Sequence, residues 1–207
     1  MKLPNYLEIS PGKKRCGWVS SDPLYIDYHD KEWGLPIFDD KLLFEFLILE
    51  GAQAGLSWIT ILKKREFYRQ YMDKLDPELL AHYNEDKMLA LMANPLIIRN
   101  RLKILAAINN AKIFLSFKEK GETFSDYIWH FSQGKPIHNH WQNLTEIPAR
   151  TALSDLMSKD MKKRGFKFVG STICYAFMQA VGIVNDHLIE CFRHNEVKLE
   201  SKPTFYT

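Results

Sequence analysis

The sequence predicts an all-α protein of about ten short helices, and three observations carry that expectation. Apolar residues recur at helical spacing while strand-like alternation is nearly absent. Residues that cap helices stand before most apolar stretches, and glycine or proline follows them. The 207 residues are 46% hydrophobic, 26% charged and 13% aromatic, a balance that excludes a disordered or collagen-like chain. That length fits one domain or two small ones sharing a core.

In chain order, Asp22-Pro23 opens a helix through about Trp33, with proline at its first position. Asp39 or Asp40 caps the apolar run KLLFEFLILEGAQAG, and Gly51 and Gly55 break its regularity before LSWITILKKREFYRQYM. Asp76-Pro77 and Asn84-Glu85 start two short helices. A long helix begins within Arg99 to Leu105 and runs towards Lys120, where Gly121 ends it. Thr123 opens a short aromatic helix. Residues 133–150 read as an irregular connection and a conceivable domain boundary. Ser154 caps DLMSKDMKKR, the tight turn GFKFVG follows, and Ser171 opens TICYAFMQAVG. A last helix surrounds Asp186 to Arg193. Residues 1–13 are expected to be a flexible extension, 14–193 a helical domain and 194–207 a frayed tail.

No apolar run approaches the roughly 20 residues that cross a bilayer, and the N-terminus lacks a signal-peptide core, so a soluble cytoplasmic protein is expected. The net charge of +3 is too small to identify a polyanionic partner. Three cysteines, Cys16, Cys174 and Cys191, do not make a disulfide framework. Each is either a buried small hydrophobe or a ligand. His187 and Cys191 stand four apart, so on a helix they would share one face. Cys16 and His29 lie thirteen apart, and spacing alone cannot select them as partners. All four together would give Cys2His2, a set suited to zinc with no position left open, hence structural. Cys174 sits in an apolar run and reads as core.

Two further features bear chemistry. MKKRGFKFVGSTICYAF reads as helix, tight turn, helix, with Gly165 and Gly170 supplying unusual backbone conformations. The amides of Gly170, Ser171 and Thr172 then suit a phosphate oxygen, and Lys162, Lys163, Arg164 and Lys167 surround them. A solvated helix end would favour the same basic residues through the helix dipole. The second feature is aromatic and acidic. Trp18, Tyr25, Tyr28 and Trp33 fall within sixteen residues, Trp58 follows the glycine-rich segment, and Glu50 ends the apolar run of Phe44 to Leu49. A carboxylate there is costly without partners, and aromatics stack on bases, although core packing explains them as readily.

Three blocks, RCGWVSSDPLYIDYHDKEWG (Arg15 to Gly34), LEGAQAGLSWITILKKR (Leu49 to Arg65) and KKRGFKFVGSTICYAFMQAVGIVNDH (Lys162 to His187), closely resemble the 3-methyladenine DNA glycosylase I family. The likeness covers about residues 14 to 193. It implies the helix–hairpin–helix DNA glycosylase fold, with one zinc ion on Cys16, His29, His187 and Cys191 joining the two ends of the chain. It implies that Glu50 hydrogen-bonds the methylated adenine, that Tyr28 contacts it and that Trp58 stacks on it. Trp18, Tyr25 and Trp33 match aromatics that line or support the pocket. Gly55 and Leu56 match the loop that fills the gap in the duplex, and Gly165 to Thr172 the phosphate grip. The implied activity is monofunctional base excision from alkylated double-stranded DNA by a monomer that needs no membrane.

Three readings compete. A silent nucleic-acid-binding helix–hairpin–helix module has no use for the Glu50–Trp58 pair. A small-molecule enzyme has none for the basic hairpin. A lyase needs an activated lysine, and Lys63 and Lys64 sit at a helix end without signs of desolvation. Asp186 stands beside a ligand position and takes no catalytic role in this reading.

Overall fold

The structure, a computed structural model, describes residues 12–200; the end segments 1–11 and 201–207, where part of the expected extension and tail fall, lie outside them. Ten α-helices follow one another among the described residues: α1 (Pro23–Lys31), α2 (Asp40–Gln53), α3 (Trp58–Tyr71), α4 (Pro77–Leu80), α5 (Glu85–Ala93), α6 (Arg101–Glu119), α7 (Phe124–Trp129), α8 (Ala152–Lys163), α9 (Ser171–Ala180) and α10 (Phe192–Glu200). Two short strands, β1 (Ile137–His138) and β2 (Val184–Asn185), pair in parallel. The chain forms two compact units. The first holds Met1–Pro36, Lys135–Pro148 and Met178–Thr207; the second holds Ile37–Gly134 and Ala149–Phe177.

In the second unit α2 is buried along its whole middle, from Leu43 to Ala52, as expected of a helix that is apolar on every side. Asp39 is its cap, accepting from the Leu42 amide at 2.8 Å. Asp40 instead accepts from the amides of Phe124 and Ser125 at 3.1 and 2.7 Å, tying down the start of α7. A ring cluster of Phe44, Phe114, Phe124, Phe117, Tyr127 and Phe166 fills the space between α2, α6 and α7, with neighbouring centroids 4.9 to 6.1 Å apart. Asn100 caps α6, accepting from the Lys103 amide at 3.1 Å, so the helix begins two residues after Arg99. Thr151, not Ser154, caps α8. The two form a reciprocal pair, each hydroxyl accepting from the other's amide at 3.2 and 2.9 Å, so the expected cap sits one turn inside.

The first unit departs further from expectation. Part of the 133–150 connection is strand β1, and the last helix starts at Phe192 rather than surrounding Asp186. The cause is a side-chain network. The fully buried Asp186 carboxylate accepts from Asn139 Nδ2 (2.6 Å), Trp141 Nε1 (2.8 Å) and Gln179 Nε2 (2.8 Å), and holds its segment out of helical geometry. Gly182 precedes it with φ +73°, and a Cβ there would meet the Leu35 carbonyl carbon at 2.3 Å. Over residues 194–200 the expected tail is helical, as part of α10: Arg193, His194 and Val197 are buried on it, and His194 Nε2 meets the Asn139 carbonyl at 2.8 Å. Among the described residues no helix is long and apolar enough to cross a membrane.

Candidate functional site

In the first unit Cys16, His29, His187 and Cys191 are all buried, and their donor atoms lie within 4.8 Å of one another. The sequence argument for the last pair needs correction. His187 lies two residues past β2, a turn spans Ile189 and Glu190, and Cys191 immediately precedes α10, so no helix face joins them. Folding still brings His187 Nδ1 to 3.5 Å from Cys191 Sγ and 3.6 Å from Cys16 Sγ, with His29 Nε2 3.4 Å from Cys191 Sγ. A tetrahedron with the usual zinc–sulfur and zinc–nitrogen bond lengths has sulfur–nitrogen edges of about 3.6 Å.

The outward nitrogen of each imidazole is engaged by an oxygen. His29 Nδ1 faces Asp30 Oδ1 at 2.7 Å, and Arg15 grips Asp30 from its other side at 2.6 to 3.0 Å. His187 Nε2 donates to the Trp33 carbonyl at 3.0 Å. Acceptors on the outside keep the proton there and turn a lone pair towards the sulfurs, which is how metal-ligating histidines are prepared. Burial works against the Asp30 carboxylate, but Arg15 and His29 outweigh it and hold its pKa below the usual range. Hydrogen bonding with Cys16 first, and with both histidines against the cost of burial, lowers the pKa of Cys191. Its hydrogen bond with Cys191, then burial, pushes Cys16 up. The sequence reading missed Arg15 and Asp30; the one available signal was an acid directly after a histidine.

Three of the aromatics assigned to a base pocket pack around this cluster. Trp18 lies 5.0 Å from Tyr25, 4.9 Å from Trp33 and 5.3 Å from His29, and Trp33 lies 4.6 Å from His187, all between centroids. Tyr28 is buried in the same unit. Gly34 allows the close approach: its φ is +83°, and a Cβ would stand 3.2 Å from the His187 ring.

The second unit carries a cleft of about 350 Å³ lined by Glu50, Gln53, Ala54, Gly55 and Leu56 from the α2–α3 turn and by Thr172, Ile173 and Ala176 from α9. Glu50 is 4% exposed, and its Oε2 has no hydrogen-bond partner. Burial alone pushes its pKa up to about 8. Gly55, at φ +78°, turns the chain so that Leu56 stands 41% exposed. Trp58 opens α3 and is buried, outside the residues that line the cleft.

Beside the cleft, α8, the turn and α9 form the expected hairpin, with one change. Positive φ occurs at Gly165 (+96°) and Phe168 (+54°), whereas Gly170 needs none. Gly170 acts through its carbonyl, which accepts from the Cys174 amide at 2.8 Å and starts α9. The Ser171 hydroxyl is engaged by Ser154 at 2.9 Å, while Lys163, Lys167 and Thr172 are exposed. Two residues that sequence reasoning passed over hold the turn. Asn110 donates to the Lys167 carbonyl and accepts from its amide at 3.0 and 2.8 Å, and Asn109 donates to the Gly165 carbonyl at 3.0 Å. Lys64 donates to the carbonyls of Pro95 and Leu96 at 3.0 Å each.

These parts define a helical protein with a helix–hairpin–helix element, an acidic cleft and a buried Cys2His2 cluster. The chain belongs to the methyladenine glycosylase family, whose model matches residues 18–194. It is 54% identical over 178 residues to DNA-3-methyladenine glycosylase 1 of Escherichia coli K12, covering 86% of this chain and 95% of that protein. It is 51% identical to DNA-3-methyladenine glycosylase of Haemophilus influenzae Rd, over 86% of this chain and 96% of that one. The solved 3-methyladenine DNA glycosylase I of Staphylococcus aureus, described for its recognition of 3-methyladenine, matches with a TM-score of 0.82 and 36% identity over 86% and 94% of the two chains.

Proposed function

We propose that this protein is a monofunctional DNA glycosylase that releases 3-methyladenine from alkylated double-stranded DNA, using a helix–hairpin–helix glycosylase fold stabilised by one zinc ion. The observation that carries the reading is Glu50: a buried carboxyl with one oxygen unpartnered, opening onto a base-sized cleft beside an exposed leucine and a basic hairpin. The family relationship supplies the substrate class.

The chemistry follows from the substrate. Methylation at N3 makes the purine cationic. When the bond between the sugar C1′ and N9 breaks, the bonding electrons neutralise the leaving base, and water adds to C1′ and gives up a proton. A bond so weakened needs selection, extrusion and positioning more than a strong acid. Glu50 accepts from the exocyclic amino group of adenine, which guanine does not offer at that edge, and its charged form is drawn out by the cationic base. The resemblance alone carries Trp58 to stacking on that base, an attraction of about 0.5 to 2 kcal/mol. Leu56 wedges into the stack and offsets part of the few kcal/mol that flipping costs. Tyr28, Tyr25, Trp18 and Trp33 are carried to the pocket by the resemblance alone. Cys16, His29, His187 and Cys191 hold the zinc, which when bound cross-links the chain ends and supplies no step of the reaction.

Grip on the duplex comes from Gly170, Ser171 and Thr172 at the start of α9, with Lys163 and Lys167 on backbone phosphates. Changing both lysines to Ala should weaken binding to damaged and undamaged duplex alike and flatten the salt dependence by about one to two units of slope. Titrations at several salt concentrations check this. Loss confined to damaged DNA would move these residues into the base pocket. The activity itself is tested by the release of free 3-methyladenine from methylated duplex with the strand left uncut.

A further inference from the structure

One face of α6 touches both segments that the proposed function turns towards DNA. Lys103 extends its ammonium to the end of α2 and donates to the carbonyls of Ala52 and Ala54, 2.7 Å each. The Ala54 carbonyl immediately precedes Gly55 and Leu56, and that of Ala52 lies in the last turn of α2. Seven residues on, two helical turns along the same face, Asn110 clasps both backbone groups of Lys167 in the hairpin. Between these two contacts the end of α2 rests directly on the hairpin turn: a Cβ on Gly51 would stand 3.2 Å from the Phe168 Cβ. Lys103, Asn110, Gly51, Ala52 and Phe168 line one small recess. Asn110 is 3% exposed and Lys103 is half-buried, and burial draws the lysine's pKa down from its ordinary value. Each therefore spends donors on backbone carbonyls that a helix end or a turn leaves without an intrahelical partner.

We propose that Lys103 and Asn110 are positioning residues that fix the spacing between the Leu56 wedge and the phosphate-gripping hairpin, so that both engage one duplex at once. The inference rests on the glycosylase reading. It assigns the two residues no contact with the base. Their work is geometric: a wedge displaced relative to the grip enters the stack out of register with the extruded nucleotide, and small misplacements of that kind are expensive in rate.

Lys103→Met keeps the length of the side chain and removes the donors, whereas Lys103→Arg keeps the donors. Single-turnover release of 3-methyladenine should be compared on two substrates, an intact methylated duplex and one whose lesion faces a one-nucleotide gap that needs no wedge. Affinity for free 3-methyladenine, read from tryptophan fluorescence, reports on the pocket itself. On intact duplex K103M should release base about tenfold more slowly, while free-base affinity stays within about twofold. K103R should recover most of the rate, and the gapped substrate most of the loss. N110A, which leaves Lys103 in place, should show the same substrate pattern. The inference is overturned if K103M and N110A match the parent on intact duplex. It is equally overturned if rates on both substrates fall alike or free-base affinity falls with them, since that describes a damaged pocket. A parent protein that releases no base would instead refute the glycosylase reading, independently of these variants.

Discussion

Replacing Cys191 by Ser should unfold the first unit before it slows any chemistry. The four donors come from opposite ends of the chain, and Cys16 and Cys191 close a loop that contains almost all of it. Structural zinc bound by such a set is worth about 10 to 16 kcal/mol in small folded modules, as large as the whole stability of an ordinary domain. With the metal lost, the inward nitrogens of His29 and His187 would keep only weak contacts in a dry pocket, the Cys16 amide 3.4 Å from His29 Nε2 and the Cys16 Sγ 3.6 Å from His187 Nδ1. Protein purified without added zinc should carry one zinc per chain by metal analysis, and C191S should lose the metal and most of its thermal stability together. Loss of base release should follow from that unfolding. Zinc far below one per chain in the parent, or a C191S variant with unchanged melting, would contradict the assignment.

Glu50→Gln should move activity and stability in opposite directions. Burial raises the folded-state pKa of Glu50 from an ordinary 4.5 to about 8. A raised folded pKa gives a stability contribution that is fully present below the unfolded value and lost as pH rises through the folded one. Between pH about 4.5 and 8 the parent therefore gives up as much as roughly 5 kcal/mol, at 1.36 kcal/mol per pH unit. Glutamine has nothing to ionise. E50Q should melt close to the parent at pH 5 and clearly above it at pH 9. Its activity should suffer, because the amide must turn its oxygen inward to meet the adenine amino group and brings no charge to favour a cationic base. The fall in release rate should stay below the roughly 10⁴-fold typical of a disabled catalytic residue, since the substrate's weak bond does part of the work. Parallel melting curves across pH would show that Glu50 does not ionise in a buried site.

Most of the fold was legible because its signals are local. Asp22-Pro23, Asp39, Asn84, Thr123 and the Gly121 stop each act through a side chain or a dihedral within a few residues, and each marks a helix end in the structure. The failures share one physical cause, which is that distant partners decide them. Asp186 reads as the start of a helix until Asn139, Trp141 and Gln179 claim its oxygens. His187 and Cys191 carry helical spacing but meet across a turn, so the four side chains gather without the helix face that the spacing suggests. Gly170 looks like a turn glycine, yet the left-handed position belongs to Phe168, which α2 packs against at Gly51. Of the candidate site, the buried carboxyl was visible as an anomaly of sequence, and Leu56 came only from the family resemblance. Arg15, Asp30, Lys103 and Asn110 were not visible, because a polar residue that clasps a remote backbone looks like any solvated one.

The proposed reaction breaks a weakened glycosidic bond in the cleft beside Glu50, and base release from a defined duplex tests it. Single-turnover release should be followed on a duplex bearing 3-methyladenine, with parent and E50Q side by side and the strand analysed before and after alkali. The parent should release free 3-methyladenine and leave a strand intact until alkali cleaves the abasic site, and E50Q should be slower. No release above the spontaneous rate, strand scission without alkali, or an E50Q indistinguishable from the parent in both affinity and rate would contradict the proposed reaction.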